Sequence, residues 1–302
     1  MGSDHTTALG DFLRSRRGRL GPAEAGLEAG TGTRRVPGLR REEVALLAGV
    51  SPDYYTRLEQ NRHPQVSAAV LDAIARALRL DEVEREYLHG LVRTNNIGSG
   101  GRGRPGAVPR VRSAVHQMLD VLGETSPVLV VNHRRDVLSA NRLARALLTD
   151  FDARPYRERN LARFVLLDPA ARELYGDWEE VARTFVAVLR LASGTRPEDR
   201  LLNELVGELC VKVPEFSGWW DTHRVRQCAY GEQRVRHPVV GDLTLRHETL
   251  VLPSDPGQEL CLYTAEPGSA SAESLRLLAD WTAPGAGASS GPVEPAERTK
   301  PA

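Results

Sequence analysis

The 302-residue chain carries 40 Lys and Arg against 40 Asp and Glu, so its formal net charge is zero, and 41% of its residues are hydrophobic. That composition belongs to a folded chain large enough for two domains, and no apolar run approaches membrane-spanning length. Zero net charge counts against a DNA binder, which is often basic, although the local arrangement of charge decides the field at the DNA. Cys210, Cys228 and Cys261 are far apart and form no C-x-x-C pair. They read as reduced, mostly buried thiols, not as a disulfide framework or a zinc site. With arginines where a signal peptide would have its apolar core in Met1–Leu20, a cytoplasmic location follows.

Taken in order, the chain begins with Leu9, Phe12, Leu13 and Leu20 at helical spacing, which predicts an amphipathic helix over 8–20. Gly21-Pro22 interrupts it, and the Gly- and Thr-rich run 26–37, holding Arg34-Arg35, reads as a loop. Helices are predicted over 39–48 and 51–60. Gly49 between them suits a left-handed exit, Ser51 can cap the second helix, and Pro52 fits its first turn, where the missing N–H costs nothing. Small Ala45 allows a close crossing, and Val44, Ala48, Val50, Tyr55 and Leu58 supply inward positions. This is the pattern of a helix-turn-helix, whose second helix enters a DNA major groove. His63-Pro64 is a break, Ser67 caps a fourth helix to Leu78, and Asp81 caps a fifth to Val92, completing a five-helix all-α domain over 1–94.

At about 100° per residue, Asp53, Thr56, Arg57 and Gln60 share one face of the second helix of the pair, opposite Tyr55 and Leu58. Arg57 suits guanine recognition by two parallel hydrogen bonds, Asp53 can accept from a cytosine amino group, and Thr56 can meet a thymine methyl or a phosphate. Arg34, Arg35, Arg40 and Arg41 are candidates for phosphate contact, which sets register without reading sequence. Glu59 flanks the first helix and is expected to pair internally with Arg17 or Arg14.

The run Pro37-Gly38-Leu39-Arg40-Arg41-Glu42-Glu43-Val44-Ala45-Leu46-Leu47-Ala48-Gly49-Val50-Ser51, followed by Asp53-Tyr54-Tyr55-Thr56-Arg57-Leu58-Glu59-Gln60, resembles the XRE-type regulators, related to phage repressors, that carry an MmyB-like C-terminal domain. The resemblance implies a transcriptional repressor or activator that works as a dimer on double-stranded DNA. Carried onto this chain, its DNA-facing positions are Ser51, Pro52, Asp53, Thr56, Arg57 and Gln60. One departure is Asn61, where the family commonly has Gly. Asn tolerates the left-handed conformation better than most residues.

Residues 95–108 read as a flexible Gly- and Arg-rich linker; the phosphate-binding G-x-x-x-x-G-K-[ST] run is absent. The following stretch, 109–282, is predicted to alternate: a helix over 111–122, strands over 128–131 and 137–140, helices over 141–148, 178–192 and 200–211, and a turn over 215–220. Strands follow over 225–229, 233–237, 242–252 and 259–263, then a helix over 272–281. The order predicts an α+β domain, a PAS-like antiparallel sheet with a helical layer, so the fold class is multidomain, α and α+β. The tail 283–302, dominated by Gly, Ala, Ser and Pro, is expected to be disordered.

Arg157-Glu158-Arg159-Asn160, Asp168-Pro169-Ala170-Ala171-Arg172, Asp177-Trp178, Pro214-Glu215-Phe216, His237-Pro238-Val239-Val240-Gly241 and Tyr263-Thr264-Ala265-Glu266-Pro267-Gly268-Ser269 look like markers of the MmyB-like domain itself. That resemblance implies a cavity for a small, largely apolar ligand such as a fatty acid. Phe185, Leu189, Phe216, Trp219, Trp220 and Tyr263 are candidate lining, with His223 and His237 as candidate anchors for a polar head group. No H-E-x-x-H arrangement occurs and no G-x-S-x-G elbow joins a strand to a helix, so no cofactor, metal or catalytic residue is expected. The reading is a ligand-responsive, sequence-specific DNA-binding regulator acting as a homodimer on an inverted repeat. Two other classes stand beside it: a helix-turn-helix that docks protein instead of DNA, and an enzyme fused to a DNA-binding domain.

Overall fold

The computed structural model describes residues 4–27, 37–62, 66–96, 110–227 and 229–283. Arg34, Arg35, the His63-Pro64 break, most of the expected linker, Cys228 and the tail beyond 283 lie outside the described residues.

The N-terminal region is all helical: α1 Asp4–Arg19, α2 Arg41–Ala48, α3 Pro52–Glu59, α4 Ala68–Ala77 and α5 Glu82–Asn96. Each start has a local cause. The Ser51 hydroxyl accepts from Tyr54 N at 3.1 Å and the Ser67 hydroxyl from Val70 N at 3.4 Å. Asp81 and Glu84 form a reciprocal capping box, each carboxylate accepting from the other's backbone N–H at 2.8 and 3.2 Å. Phe12, Leu13, Leu39, Val44, Tyr55, Leu58, Ile74 and Leu88 make one buried core. The fifth helix runs four residues past its expected end at Val92, into the segment expected to be linker.

The C-terminal region contains α6 Ser113–Leu122, β1 Val128–Asn132, β2 Val137–Ala140, α7 Arg142–Leu147, α8 Leu161–Leu167, α9 Pro169–Leu174, α10 Trp178–Thr195, α11 Arg200–Lys212, α12 Phe216–Trp220, β3 Tyr230–His237, β4 Gly241–Val251, β5 Gln258–Thr264 and α13 Ala270–Trp281. The five strands form one antiparallel sheet in the order β2-β1-β5-β4-β3. The helical layer, α7 to α13, buries the inner face around Leu129, Phe164, Leu189, Leu202, Phe216 and Leu245. Helix α6 covers the outer face at Val128, Val130 and Leu260. With both faces covered, β1 is buried at every position, as its continuous apolar run demands. This is the multidomain α and α+β architecture that the sequence predicts.

Three local expectations are corrected. Residues 225–229 were expected as a strand, but 224–227 are irregular and β3 begins at Tyr230. Val225, 8% exposed, leaves the sheet and packs into the core of the N-terminal domain, so long-range burial overrides its strand propensity. Helices α8 and α9 were not anticipated: an apolar run as short as Leu161–Leu167 has no distinguishable period. Cys210 is exposed, whereas Cys261 is buried.

Candidate nucleic-acid interface and ligand cavity

Gly49 leaves α2 in the left-handed region, with φ 67° and ψ 30°, where a Cβ would be strained. Its turn is closed by Val50 N donating to Ala45 O at 3.0 Å. Ala45, fully buried, lies where α2 meets its neighbours. The pair is then locked by one buried carboxylate. Glu59, with no exposed side-chain surface, accepts from Arg17 Nε at 2.6 Å and from Arg41 Nε at 2.7 Å. Burial alone would raise the Glu59 pKa, but the hydrogen bonds from Arg17 and Arg41 outweigh it and hold the carboxyl below its ordinary value. The expected Arg17 pairing is present, whereas Arg14 reaches only the Glu59 carbonyl, at 3.5 Å. Asn61 adopts the left-handed region at φ 56°, and its side chain accepts from Gly10 N at 2.9 Å, tying the end of α3 to α1.

On the opposite side of α3, Ser51, Pro52, Asp53, Arg57 and Gln60 are exposed and Thr56 is half-buried. The structure therefore brings these six together on one solvent-facing surface. Arg57 Nη2 lies 2.8 Å from Asp53 Oδ2, one helical turn away, with both side chains more than half exposed. The Thr56 hydroxyl donates to Pro52 O at 2.8 Å. Arg40 is exposed at the start of α2. Arg41 differs from the phosphate-contact expectation: its guanidinium is half-exposed yet committed to Glu59, so its first role is structural.

The second site lies between the inner face of the sheet and α10. A cavity of about 210 Å³ is walled by Val181, Thr184, Phe185 and Val188 of α10, Leu161 of α8, and Gln233, His247, Thr249, Cys261 and Tyr263 of the sheet, with Arg135, Asp177, Glu180 and Arg226 adding charge. Strand alternation places His247 and Thr249 on this face. The rings of His247 and Tyr263 lie 6.3 Å apart, and burial followed by the neighbouring Arg226 charge lowers the His247 pKa.

Of the residues expected to line a pocket, Phe185 and Tyr263 are in this wall and the other six are elsewhere. Leu189 and Phe216 are fully buried core. Trp220 stacks on Phe216 at 5.5 Å, and Trp219 packs against Trp178 at 6.1 Å. His237 braces the β3–β4 turn: its Nδ1 faces Val239 N and Val240 N, and its Nε2 lies 3.0 Å from Ala146 O. His223 sits at the seam between the two domains, where Arg190 Nη2 donates to its Nδ1 and Arg16 Nη2 donates to its carbonyl at 2.7 Å. The segregation has a cause: aromatics at helical spacing in α12 face the helical layer, whereas the wall uses alternate strand positions with no motif of their own.

The seam is extensive. Arg190 of α10 also donates to Trp220 O at 2.8 Å and its charge acts on Tyr87 of α5, while Leu191 packs on the N-terminal core. Burial, then the Arg190 charge, pulls the His223 pKa down to about 4, and burial pulls Arg16 down to about 10. Helix α10 thus lines the cavity with one face and meets the DNA-side domain with the other.

A helix pair with a polar outward face, joined to a sheet domain with an internal cavity, defines a DNA-binding transcription regulator with a ligand-binding domain. Residues 8–88 match a helix-turn-helix domain model, and residues 111–278, more than half of the chain, match the MmyB-like transcription regulator ligand binding domain. The chain belongs to the MmyB-like transcription regulators. No curated protein matches it. Among the described residues, no helix is long and apolar enough to cross a membrane.

Proposed function

We propose that the protein is a cytoplasmic, homodimeric regulator that reads an inverted-repeat operator with α3 and responds to a small, largely apolar ligand of fatty-acid type. One observation carries the DNA reading: the face of Ser51, Pro52, Asp53, Thr56, Arg57 and Gln60 is open to solvent, while the sensor domain packs on α1 and α5. Arg57 reads a guanine, Gln60 and Asp53 contribute to neighbouring base pairs, and Arg40, with Arg34 and Arg35, contacts phosphate. Two copies place their recognition helices about 34 Å apart, one turn of DNA. We take 1–94 as the DNA-binding unit and 109–282 as the sensor, whose ligand occupies the space behind Phe185, His247 and Tyr263. A ligand shifts DNA affinity only through a difference in its own affinity for the competing domain arrangements.

Selection from random DNA with the full chain tests this. Wild type is expected to return a palindromic consensus, and Arg57→Ala to lose discrimination at one base pair of each half-site, about 1–3 kcal/mol. An unchanged consensus with Arg57→Ala removes that residue from base reading. Retention on DNA that does not weaken with salt favours a protein-docking role, because each neutralised phosphate must release counterions.

A further inference from the structure

Beside the cavity lies a second, wetter space of about 750 Å³, walled by Arg16, Arg19 and Glu84 of the DNA-binding domain and by sensor residues that include Arg183, Arg224 and Arg226. Asp177, Glu180, Thr184 and Arg226 line both spaces, so the mouth of the cavity opens into the cleft between the domains. The enclosed part, about 210 Å³, is smaller than the ~300–1,000 Å³ of pockets that take drug-sized molecules. A longer ligand can extend from it toward the cleft.

Five arginines and four carboxylates, Glu84, Asp177, Glu179 and Glu180, line the cleft, which leaves one positive charge over. Arg16 pairs with Glu84 at 3.1 Å and Arg183 with Glu179 at 2.5 Å. Among the described residues, Arg19, Arg224 and Arg226 have no carboxylate partner. The Arg19 guanidinium donates only to the Thr222 carbonyl, and Arg226 reaches the Thr184 hydroxyl at 3.5 Å. Arg19 and Arg224 line the cleft from opposite domains, and after burial the Arg224 charge lowers the Arg19 pKa while Glu84 raises it. Like charges set across an interface work against it unless an anion lies between them.

We propose that the cleft binds the anionic head group of the ligand, a carboxylate or a phosphate monoester, between Arg19 of the DNA-binding domain and Arg224 and Arg226 of the sensor, with the apolar tail in the cavity. The ligand is then shared by both domains and stabilises their docked arrangement, and the same coupling free energy reappears in its affinity. This rests on the ligand reading of the cavity proposed above.

The test titrates the full chain with dodecanoate, dodecyl phosphate and dodecanol by calorimetry. The expected result is that an anion binds at least tenfold more tightly than the alcohol, and that Arg19→Gln and Arg226→Gln each weaken the anion at least tenfold while leaving the alcohol unchanged. Whichever of the carboxylate and the phosphate binds more tightly identifies the head group. Ser15→Ala, which removes a 3.1 Å seam hydrogen bond to Thr222 O without altering charge, is expected to bind all three as wild type does. If Ser15→Ala weakens the anion as much as Arg19→Gln does, the arginine acts by holding the seam and the head-group site is overturned. Equal affinity for alcohol and anions overturns it too. Sensitivity to Arg226→Gln but not to Arg19→Gln overturns the bridging and leaves the cavity reading standing, whereas no binding of any of the three overturns both.

Discussion

The two domains bury charge in opposite ways. Around α3, the one fully buried carboxylate, Glu59, is held by two guanidiniums, Arg17 and Arg41, so every partner is charged and the geometry is rigid. At the seam the buried groups are cations, Arg16 and Arg190, and most of their partners are neutral: backbone carbonyls and an imidazole. Among the described residues, only Glu84 forms an ion pair with one of these cations. A fully paired cluster resists rearrangement because opening it strands charge, whereas cations held by dipoles can exchange those dipoles for water at smaller cost. The helix pair is therefore the fixed part of the molecule, and the junction with the C-terminal domain is the part able to change.

The largest expected effect breaks the fixed part. Glu59→Ala leaves Arg17, 12% exposed, without its carboxylate and should destabilise the DNA-binding domain by about 3–5 kcal/mol in urea unfolding. The pH dependence has a definite sign. The folded Glu59 pKa is depressed, so its contribution is present above the unfolded value, about 4.3, and is lost as pH falls through the folded value. Wild type should lose stability in acid below about pH 4, and Glu59→Gln should flatten that limb. If Glu59→Ala melts like wild type, the cluster is ornamental and the contrast between the domains fails.

Next in size is a wedge at the seam. A Cβ on Gly194 would lie 1.9 Å from Tyr87 Cε2, so Gly194→Ala forces α10 away from α5 or displaces the ring. Overpacking of this kind costs about 1–3 kcal/mol. Hydrogen exchange should show protection lost on α5 and the α10 face against it, with the α3 consensus unchanged. A softer junction predicts that dissociation; loss of DNA selectivity as well would mean the two regions are one rigid unit.

A smaller, reversible perturbation comes from His223. Its folded pKa, about 4, lies below its ordinary value of 6.5, so the unfolded or undocked form takes up the proton first. Seam stability is full above about pH 6.5 and falls as pH drops toward 4, since a protonated Nδ1 cannot accept from Arg190 and places a third cation beside Arg190 and Arg16. Asp11 and Asp221 partly oppose this. Allowing for solvent at the ring, about 1–2 kcal/mol should be lost, read as faster proteolysis between the domains; His223→Asn should be insensitive to pH in that window.

The same contrast governs what was legible in the sequence. The helix pair is local: Gly49, Ser51, Pro52 and the inward Val44, Ala48, Tyr55 and Leu58 lie within fifteen consecutive positions, so spacing alone places them. Ser67 and Asn141 mark helix starts for the same reason. The cavity joins Arg135 to Tyr263 through a sheet whose neighbours are far apart in sequence, and His247, Thr249 and Cys261 carry no signal beyond alternation. Arg190 and His223 meet Tyr87 and Arg16 only once two domains dock, and Val225, strand-like by its residue type, is buried by that docking instead. Local chemistry is written in adjacent residues, and the junction is written in the pairing of surfaces.

The smallest expected effect concerns the Asp53–Arg57 pair on the open face. Both side chains are more than half exposed, so the pair is worth no more than about 0.5 kcal/mol to folding, and Asp53→Asn should unfold as wild type does within that margin. Its consequence for DNA is separate. In the free protein Asp53 holds the Arg57 fork along the helix, and approach to a phosphate-lined groove brings that carboxylate's negative charge with it. Removing the charge while keeping a polar side chain should strengthen binding to all sequences and leave guanine preference at the Arg57 position intact. If Asp53→Asn instead changes the preferred base at a neighbouring pair, Asp53 reads a base itself, as a carboxylate accepting from cytosine would. Competition binding on a panel of single-base operator variants distinguishes uniform strengthening from a change at one position.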